Sequence, residues 1–343
     1  MTALLALSQR NDDAGPRGVR RLHAAWEEFA ARFVMPDGRV VDTGNAGISH
    51  SEGQGLGMLL ALQADDRARF GAIAAWTRRH LRRRGDALHA WHWSPATGQV
   101  MDDNNASDGD LFVAAALITA GQAWSRPDWV AEGRQVAADL LRLCIRRVAG
   151  RTLLLPGARG FERTDETVVN PSYYALPLLR LVARGSPDSA WLPLAVDGVR
   201  LLRDACLGPW GLPADWVAVP HDGGPVTAAS GWPARFSYDA VRVPLWLAWA
   251  GLPDEPGCSG PAQFWSTHWG RGGSVPVPAW VELHGGPVAP HPASPGIVAV
   301  AQFVTGSRGE GRFAPPVEHP DYYSAVLSLL AMVAAAETGR PHP

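Results

Sequence analysis

The sequence predicts one mainly α-helical domain whose long loops gather on one side. Helix-like apolar runs recur as pairs of roughly 40–50 residues, without letter-for-letter repetition. The Pro- and Gly-rich connections at 208–235 and 252–300 interrupt this pattern and are too long for turns, so they read as cleft walls or lids. Three of the helix-like runs also begin with acids: Glu52 before Leu56–Leu62, Asp108 and Asp110 before Leu111–Leu117, and Asp239 before Val243–Leu247. Helix starts that point the same way in a bundle or barrel bring such acids to one face.

Taken in order, residues 9–20 are a polar lead-in with Asn11, Asp12, Asp13 and Pro16. A helix is predicted over 20–33, where Leu22, Ala25, Trp26, Phe29 and Phe33 recur at helical spacing. Met35–Arg39 is turn-like and leads to a short Val40–Val41 strand. The next helix covers 52–64 with His50 or Ser51 at its N-cap; another covers 67–84 and ends in Arg82, Arg83 and Arg84, where the helix dipole favours cations. Residues 86–105 read as irregular or hairpin-like. Further helices are predicted at 109–124, 128–148, 172–184, 188–206, 239–250 and 320–337. With no clean boundary among them, 1–19 is read as a lead-in and 20–338 as a single domain.

Of the 343 residues 46% are hydrophobic and 19% charged, a globular composition. A formal net charge of −2 gives no electrostatic footprint for nucleic acid. All 31 basic residues are Arg, which excludes a Schiff-base lysine and a phosphate-loop lysine. Cys144, Cys206 and Cys258 are far apart without CxxC spacing and read as buried thiols rather than a disulfide or zinc framework. The 11 His form no HExxH, and there is no GxSxG nucleophile motif. No apolar run approaches the ~20 residues that span a bilayer, and Met1–Ser8 is only weakly signal-like.

A Glu in a first helical turn is by default a dipole-stabilising surface acid. After Glu52, however, come Gly53, Gln54 and Gly55 rather than good helix formers, and glycine lets another chain or a ligand approach closely. Asp108 and Asp110 follow Asn104, Asn105 and Ser107, and one of the pair reads equally as a cap. Asp239 stands three residues before Arg242 among Phe236, Tyr238, Val241 and Trp246; a buried carboxylate held by Arg stays ionised. Asn170-Pro171-Ser172-Tyr173 forms a turn and helix start with Pro at the first helical position. The pairs Tyr173-Tyr174 and Tyr322-Tyr323 read equally as core or as sugar contacts. Among the 15 Trp, those in loop-like polar settings, Trp91, Trp93, Trp216 and Trp232, are candidate stacking platforms.

Taken together, Ser-Glu-Gly-Gln at 51–54, Ala-Ser-Asp-Gly-Asp at 106–110, Asn-Pro-Ser-Tyr at 170–173 and Ser-Tyr-Asp-Ala-x-Arg at 237–242 resemble glycoside hydrolase family 8, in order, from about residue 25 to 335. Within it the chain resembles endoglucanases that accompany bacterial cellulose synthase. The resemblance implies an (α/α)6 barrel of six helical hairpins with a cleft across one end. It implies endo-hydrolysis of β-1,4-glucan with inversion, without metal or cofactor, by a monomeric periplasmic or secreted enzyme that associates with a cellulose synthase complex. Glu52 matches the general acid, Asp239 the general base, and Asp108 the carboxylate that binds and distorts the central sugar. Arg242 and Tyr173 match groups that steady the base and its water; Tyr238 and Tyr323 match cleft residues. Leu56 departs from the pattern, standing where the family usually has an aromatic.

The chemistry then requires Glu52 to be protonated, with burial and Asp108 keeping it so, and Asp239 to be ionised by Arg242. Other readings are a xylanase, chitosanase or licheninase on the same scaffold, a non-catalytic glucan-binding protein, and a polysaccharide lyase.

Overall fold

Eleven helices form among the residues that the computed structural model describes, 16–269, 276–306 and 321–340. They are α1 (Pro16–Phe33), α2 (Ser51–Gln63), α3 (Arg67–Leu81), α4 (Ser107–Ala123), α5 (Pro127–Cys144), α6 (Leu176–Gly185), α7 (Trp191–Asp204), α8 (Arg242–Trp249), α9 (Pro256–Trp269), α10 (Pro295–Thr305) and α11 (Tyr322–Thr338). Two kinds of sequence make two layers. α4 is buried at every residue from Ser107 to Gly121, and α2 and α8 are nearly as enclosed. A helix apolar all round belongs inside. α5 instead buries one stripe, Trp129, Gly133, Val136, Ala137, Leu140 and Cys144, at three- and four-residue spacing. Short links such as Ala64–Asp66 and Trp124–Arg126 fold each inner helix back against an outer one. The result is the expected (α/α)6 barrel.

Short strands collect at the end of the barrel where the inner helices begin. β1 (Ser49–His50), β2 (Ala90–Ser94) and β3 (Gln99–Asn105) form one sheet, with Ser49 opposite Trp93 and His50 opposite His92. β4 (Ile145–Val148) pairs with β5 (Arg151–Leu154), and β7 (Cys206–Leu207) with β8 (Leu212–Pro213). β6 (Glu166–Val169) pairs with β9 (Val217–Pro220), which also pairs with β10 (Thr227–Ala228). β11 (Arg235–Phe236) pairs with β12 (Val281–Glu282). β1, β3, β6 and β11 run straight into the segments bearing Glu52, Asp108, Tyr173 and Asp239.

Several sequence expectations need correction. α1 begins at Pro16, inside the expected lead-in, because proline suits a first helical turn; Met1–Ser8 lies outside the described residues. The helix expected to 148 stops at Cys144: Ile145–Val148 is a strand, closed by a two-residue turn in which Ala149 and Gly150 both have positive φ (48° and 80°). The helix expected over 172–184 is a 3₁₀ turn, Pro171–Tyr173, followed by α6. The stretch 252–300, read as connection, contains α9 and α10. Its prolines open both helices, and its glycines serve close packing: a Cβ on Gly260 would lie 2.5 Å from the Gly211 carbonyl oxygen, and one on Gly296 2.2 Å from that of Ser324. Packing overrides propensity here. Leu56 is buried in the core, so its departure from the family pattern alters packing and leaves the cleft untouched.

At the other end of the inner ring, α6 and the C-terminal parts of α2, α8 and α11 line a cavity of about 170 Å³ whose wall includes Leu59, Leu60, Leu181, Leu330 and Val333. The half-buried Glu337 carboxylate accepts from Trp249 Nε1 (2.7 Å) and Gln63 Nε2 (3.3 Å). Burial pushes it up to about 7, above its ordinary 4.5. A folded-state pKa above the unfolded one makes stability fall as pH rises from 4.5 through 7. Glu337→Gln mimics the neutral carboxyl. It is expected to stabilise the protein by about 1–3 kcal/mol at pH 8, with most of that gain absent at pH 5. Thermal unfolding at the two pH values checks this; equal shifts at both would contradict it.

Candidate active site

The site begins with how the sequence starts α2. His50 leaves β1 in an extended conformation and caps the helix, its Nδ1 accepting from Gly53 N–H at 2.9 Å. An accepting Nδ1 places the proton of neutral imidazole on Nε2, which faces Asp42 at 3.4 Å. Gln54 accepts from Val40 N–H (2.6 Å) and donates to Thr77 Oγ1 (3.0 Å), fixing α2 to α3 and the turn before β1. Glu52 therefore sits on a helix end held from three sides.

Glycines then bring a second acid against it. A Cβ on Gly109 would lie 2.3 Å from Ser51 Oγ and 2.7 Å from Glu52 N; one on Gly55 would lie 2.6 Å from Phe112 Cβ. Real Cβ atoms cannot occupy such positions, so α2 and α4 meet backbone to backbone only because these residues are glycine. The Glu52 and Asp108 carboxyls are thereby hydrogen-bonded to each other. Neither acid of Asp-Gly-Asp caps α4. Asp108 accepts from Gly109 N–H (2.8 Å), while Asp110 takes His89 N–H and Nδ1, both at 2.9 Å, and Asn105 Nδ2 at 3.0 Å.

The third segment supplies the cation. Arg242, the first residue of α8, is 2% exposed. Its Nη1 donates to Glu52 Oε2 at 2.7 Å and Asp108 Oδ2 at 3.2 Å; its Nη2 donates to Asp239 Oδ1 at 3.0 Å and Ser172 Oγ at 2.9 Å. One guanidinium thus holds three carboxylates. Its terminal nitrogens are about 2.3 Å apart, so Glu52 Oε2 and Asp239 Oδ1 lie no more than about 8 Å apart. The Trp216 indole donates to Asp239 Oδ2 at 3.2 Å. Side-chain exposure is 17% for Glu52, 34% for Asp239 and nil for Asp108, so two acids face the cleft and the third backs them. The cleft holds about 470 Å³ and is lined by Asp42, Asn45, Tyr238, Asp321 and Tyr323 with Glu52, Asp239 and Arg242.

The electrostatics reverse the expected assignment. Burial raises Glu52, but Arg242 and the hydrogen bonds to Asp108 and Arg242 carry it down to about 2. Asp108 is pushed well above its ordinary value, by burial first and then by the Glu52 charge. The proton shared by this pair therefore favours Asp108. Asp239, expected to be kept ionised by Arg242, is raised: burial outweighs a guanidinium shared three ways, and Glu52 adds to the rise.

The aromatic residues divide. Tyr173 lies under Arg242 (5.9 Å to the ring) and edge-on to Trp216 at 6.2 Å. Tyr323 donates its hydroxyl to the Tyr238 carbonyl, and Tyr238 is exposed. Their neighbours Tyr174 and Tyr322 are core. Trp91 and Trp93 stay outside the carboxylate cleft. Trp91 donates to Asp102 at 2.8 Å, and Trp93 packs edge-on against Trp76 at 5.4 Å. Their strand β2 only neighbours β1. Trp216 stacks between Phe161 (6.0 Å, 9°) and Trp232 (4.8 Å, 17°). The sequence assigned no role to Ser172, Asp215 or the cleft-lining Asp42 and Asp321. Ser172, Asp42 and Asp215 lie in stretches that support the family resemblance, at 170–173, 37–42 and 215–217, whereas Asp321 gave no signal beyond being polar before an apolar run. Among the described residues, no three His, Cys, Asp or Glu side chains converge to hold a metal ion.

Paired carboxylates facing an open cleft at the helix starts of an (α/α)6 barrel define a glycoside hydrolase. The sequence matches the family model described as glycosyl hydrolases family 8 over residues 1–337. A protein of Novacetimonas hansenii described as a probable endoglucanase is 42% identical over 314 residues, 91% of this chain and 90% of that one. An endoglucanase of Cellulomonas uda is 37% identical, covering 84% of this chain and 79% of that one. The solved structure of the endo-β-1,4-glucanase CMCax from Acetobacter xylinum superposes with a TM-score of 0.85 at 41% identity, covering 92% of this chain and 98% of that one. The chain belongs to glycoside hydrolase family 8.

Proposed function

We propose that this glycoside hydrolase is an endo-1,4-β-glucanase that cuts internal bonds of β-1,4-glucan with inversion, Glu52 acting as general acid and Asp239 as general base. The observation that carries the pair is one buried guanidinium holding two cleft-facing carboxylates no more than about 8 Å apart; inversion is what the family resemblance implies, and the bound admits its roughly 6.5–9.5 Å spacing. A water on the Asp239 side attacks the anomeric carbon and gives its proton to Asp239. The bond to the glycosidic oxygen breaks, and that oxygen takes a proton from Glu52. Asp108, with no exposed side-chain surface, lies behind Glu52; its part in this reading is to supply the proton that Glu52 presents. Arg242 and Trp216 aim the base, Tyr173 steadies the water, and Tyr238 and Tyr323 border the sugar path.

The substrate reading is supported by the names of the similar proteins. A role beside cellulose synthesis, a periplasmic or secreted location, a monomeric state and one catalytic unit over 20–338 follow from the family resemblance. Among the described residues no helix is long and apolar enough to cross a membrane.

Carboxymethyl cellulose tests the reading. The expected result is a viscosity fall that precedes reducing-end release, with the α-anomer first in product NMR. Cleavage confined to xylan or chitosan would reject the substrate, and a β-anomer first would reject inversion.

A further inference from the structure

Directly beneath Asp239 lies a buried carboxyl that the proposed reaction does not use. Asp215, 7% exposed, accepts from Ser237 N–H at 3.1 Å and Ala240 N–H at 2.8 Å through Oδ1, and its Oδ2 is bonded to the Ser237 hydroxyl. These partners bracket Asp239 on both sides. The next residue, Trp216, grips the Asp239 carboxylate itself. Asp215 is in turn fixed by its own N–H, which donates to the Arg235 carbonyl at 2.9 Å. β6–β9 pairing opposes Val169 to Val217, so the same strand end sits beside the Asn170–Tyr173 turn.

We propose that Asp215 is the positioning residue of the base, its carboxyl fixing the Ser237–Ala240 turn so that Asp239 meets the attacking water. The proposal rests on Asp239 being that base. The titratable groups that face Asp215 are Asp239, whose charge makes charging it harder, and Tyr323, whose own ionisation the Asp215 charge opposes. The cation on the strand before the turn, Arg235, goes elsewhere, to Glu282 at 2.6 Å. Burial and then the Asp239 charge push Asp215 up to about 7. Below that pH a neutral carboxyl holds the turn. Asn is then the conservative replacement, since it is neutral and of the same shape, whereas Ala leaves two buried N–H groups and a hydroxyl without an acceptor.

The test compares Asp215→Asn, Asp215→Ala, Ser237→Ala and Asp239→Asn on carboxymethyl cellulose, with circular dichroism to confirm folding. Asp215→Ala is expected to lower kcat by roughly 10–100-fold with KM within about twofold, because a misplaced base costs the chemical step and spares glucan binding. Asp215→Asn is expected to keep kcat within about threefold, with the acidic limb of the pH profile unmoved. Ser237→Ala should fall between, again in kcat alone, and stands in if Asp215→Ala does not fold. A wild-type kcat in Asp215→Ala, a loss expressed in KM, or an Asn variant as impaired as Ala overturns the proposal. So does an acidic limb shifted downward in Asp215→Asn, which means that a charged Asp215 acts on the base. If Asp239→Asn keeps wild-type turnover, the fault lies with the base assignment; if it is dead while Asp215→Ala is normal, only the role of Asp215 fails.

Discussion

Glu52→Gln and Asp239→Asn are each expected to lower kcat on soluble β-1,4-glucan by about 10³-fold or more while the protein stays folded. General acid or base catalysis contributes about 10²–10⁴, and here each proton transfer has one acid in reach of the cleft. Both substitutions keep the shape of the side chain and an oxygen facing Arg242, so the change in melting temperature is expected to be small. The two losses differ in kind. A substrate with a phenolate-like leaving group needs little protonation, so Glu52→Gln is expected to recover most of its deficit on it and Asp239→Asn none. Steady-state kinetics on the two substrates decide. Recovery in Asp239→Asn alone would mean that acid and base are exchanged, and equal recovery in both would mean that the pair is misassigned.

Arg242→Met is expected to destabilise the protein by about 3–5 kcal/mol at pH 7.5, because breaking a buried ionic cluster on one side leaves uncompensated charge. The guanidinium carries four hydrogen bonds at 2% exposure, three to carboxylates, and burial with those charges raises the affinity of all the groups for one another. The deficit should depend on pH. With Arg242 present Glu52 lies near 2, a depressed acid that contributes stability above its unfolded value of 4.5 and loses it as pH falls through 2. Without Arg242 that contribution is gone, and the carboxyls that are still charged relieve their repulsion only by taking up protons. Urea unfolding at pH 7.5 and pH 5 is therefore expected to show the gap to wild type narrowing in acid. Arg242→Lys restores a charge but offers no fork, so it is expected to recover much of the stability and little of kcat. A Met variant as stable as wild type at pH 7.5 would show that the cluster is not held by its cation.

Sequence patterns made the acids legible because each stands where an apolar run begins, a local feature. The glycines after Glu52 were legible for the same reason, and their purpose is now explicit in the contact with Gly109. Arg242 was visible only as a partner three residues from Asp239. Its reach to Glu52, 190 residues away, and to Asp108, 134 away, belongs to the closed barrel. Its reach to Glu52 draws that acid down, and burial with the Glu52 charge then raises Asp108 despite the same guanidinium. Among the tryptophans in polar loops, Trp216 bonds the base, Trp91 bonds Asp102 on the β2–β3 hairpin and Trp93 packs on Trp76 of α3. α9 and α10 were hidden by prolines and glycines whose packing partners lie far along the chain.

The backbone contact between α2 and α4 also constrains how such an enzyme can change its taste for polymers. A side chain at Gly55 or Gly109 would wedge the two helices apart and part Glu52 from Asp108 at once. Laboratory selection for a new glycan should therefore leave these two positions silent and accumulate its substitutions in the loops, around Asn45, Tyr238 and Asp321, where the cleft wall can be redrawn without moving the acids.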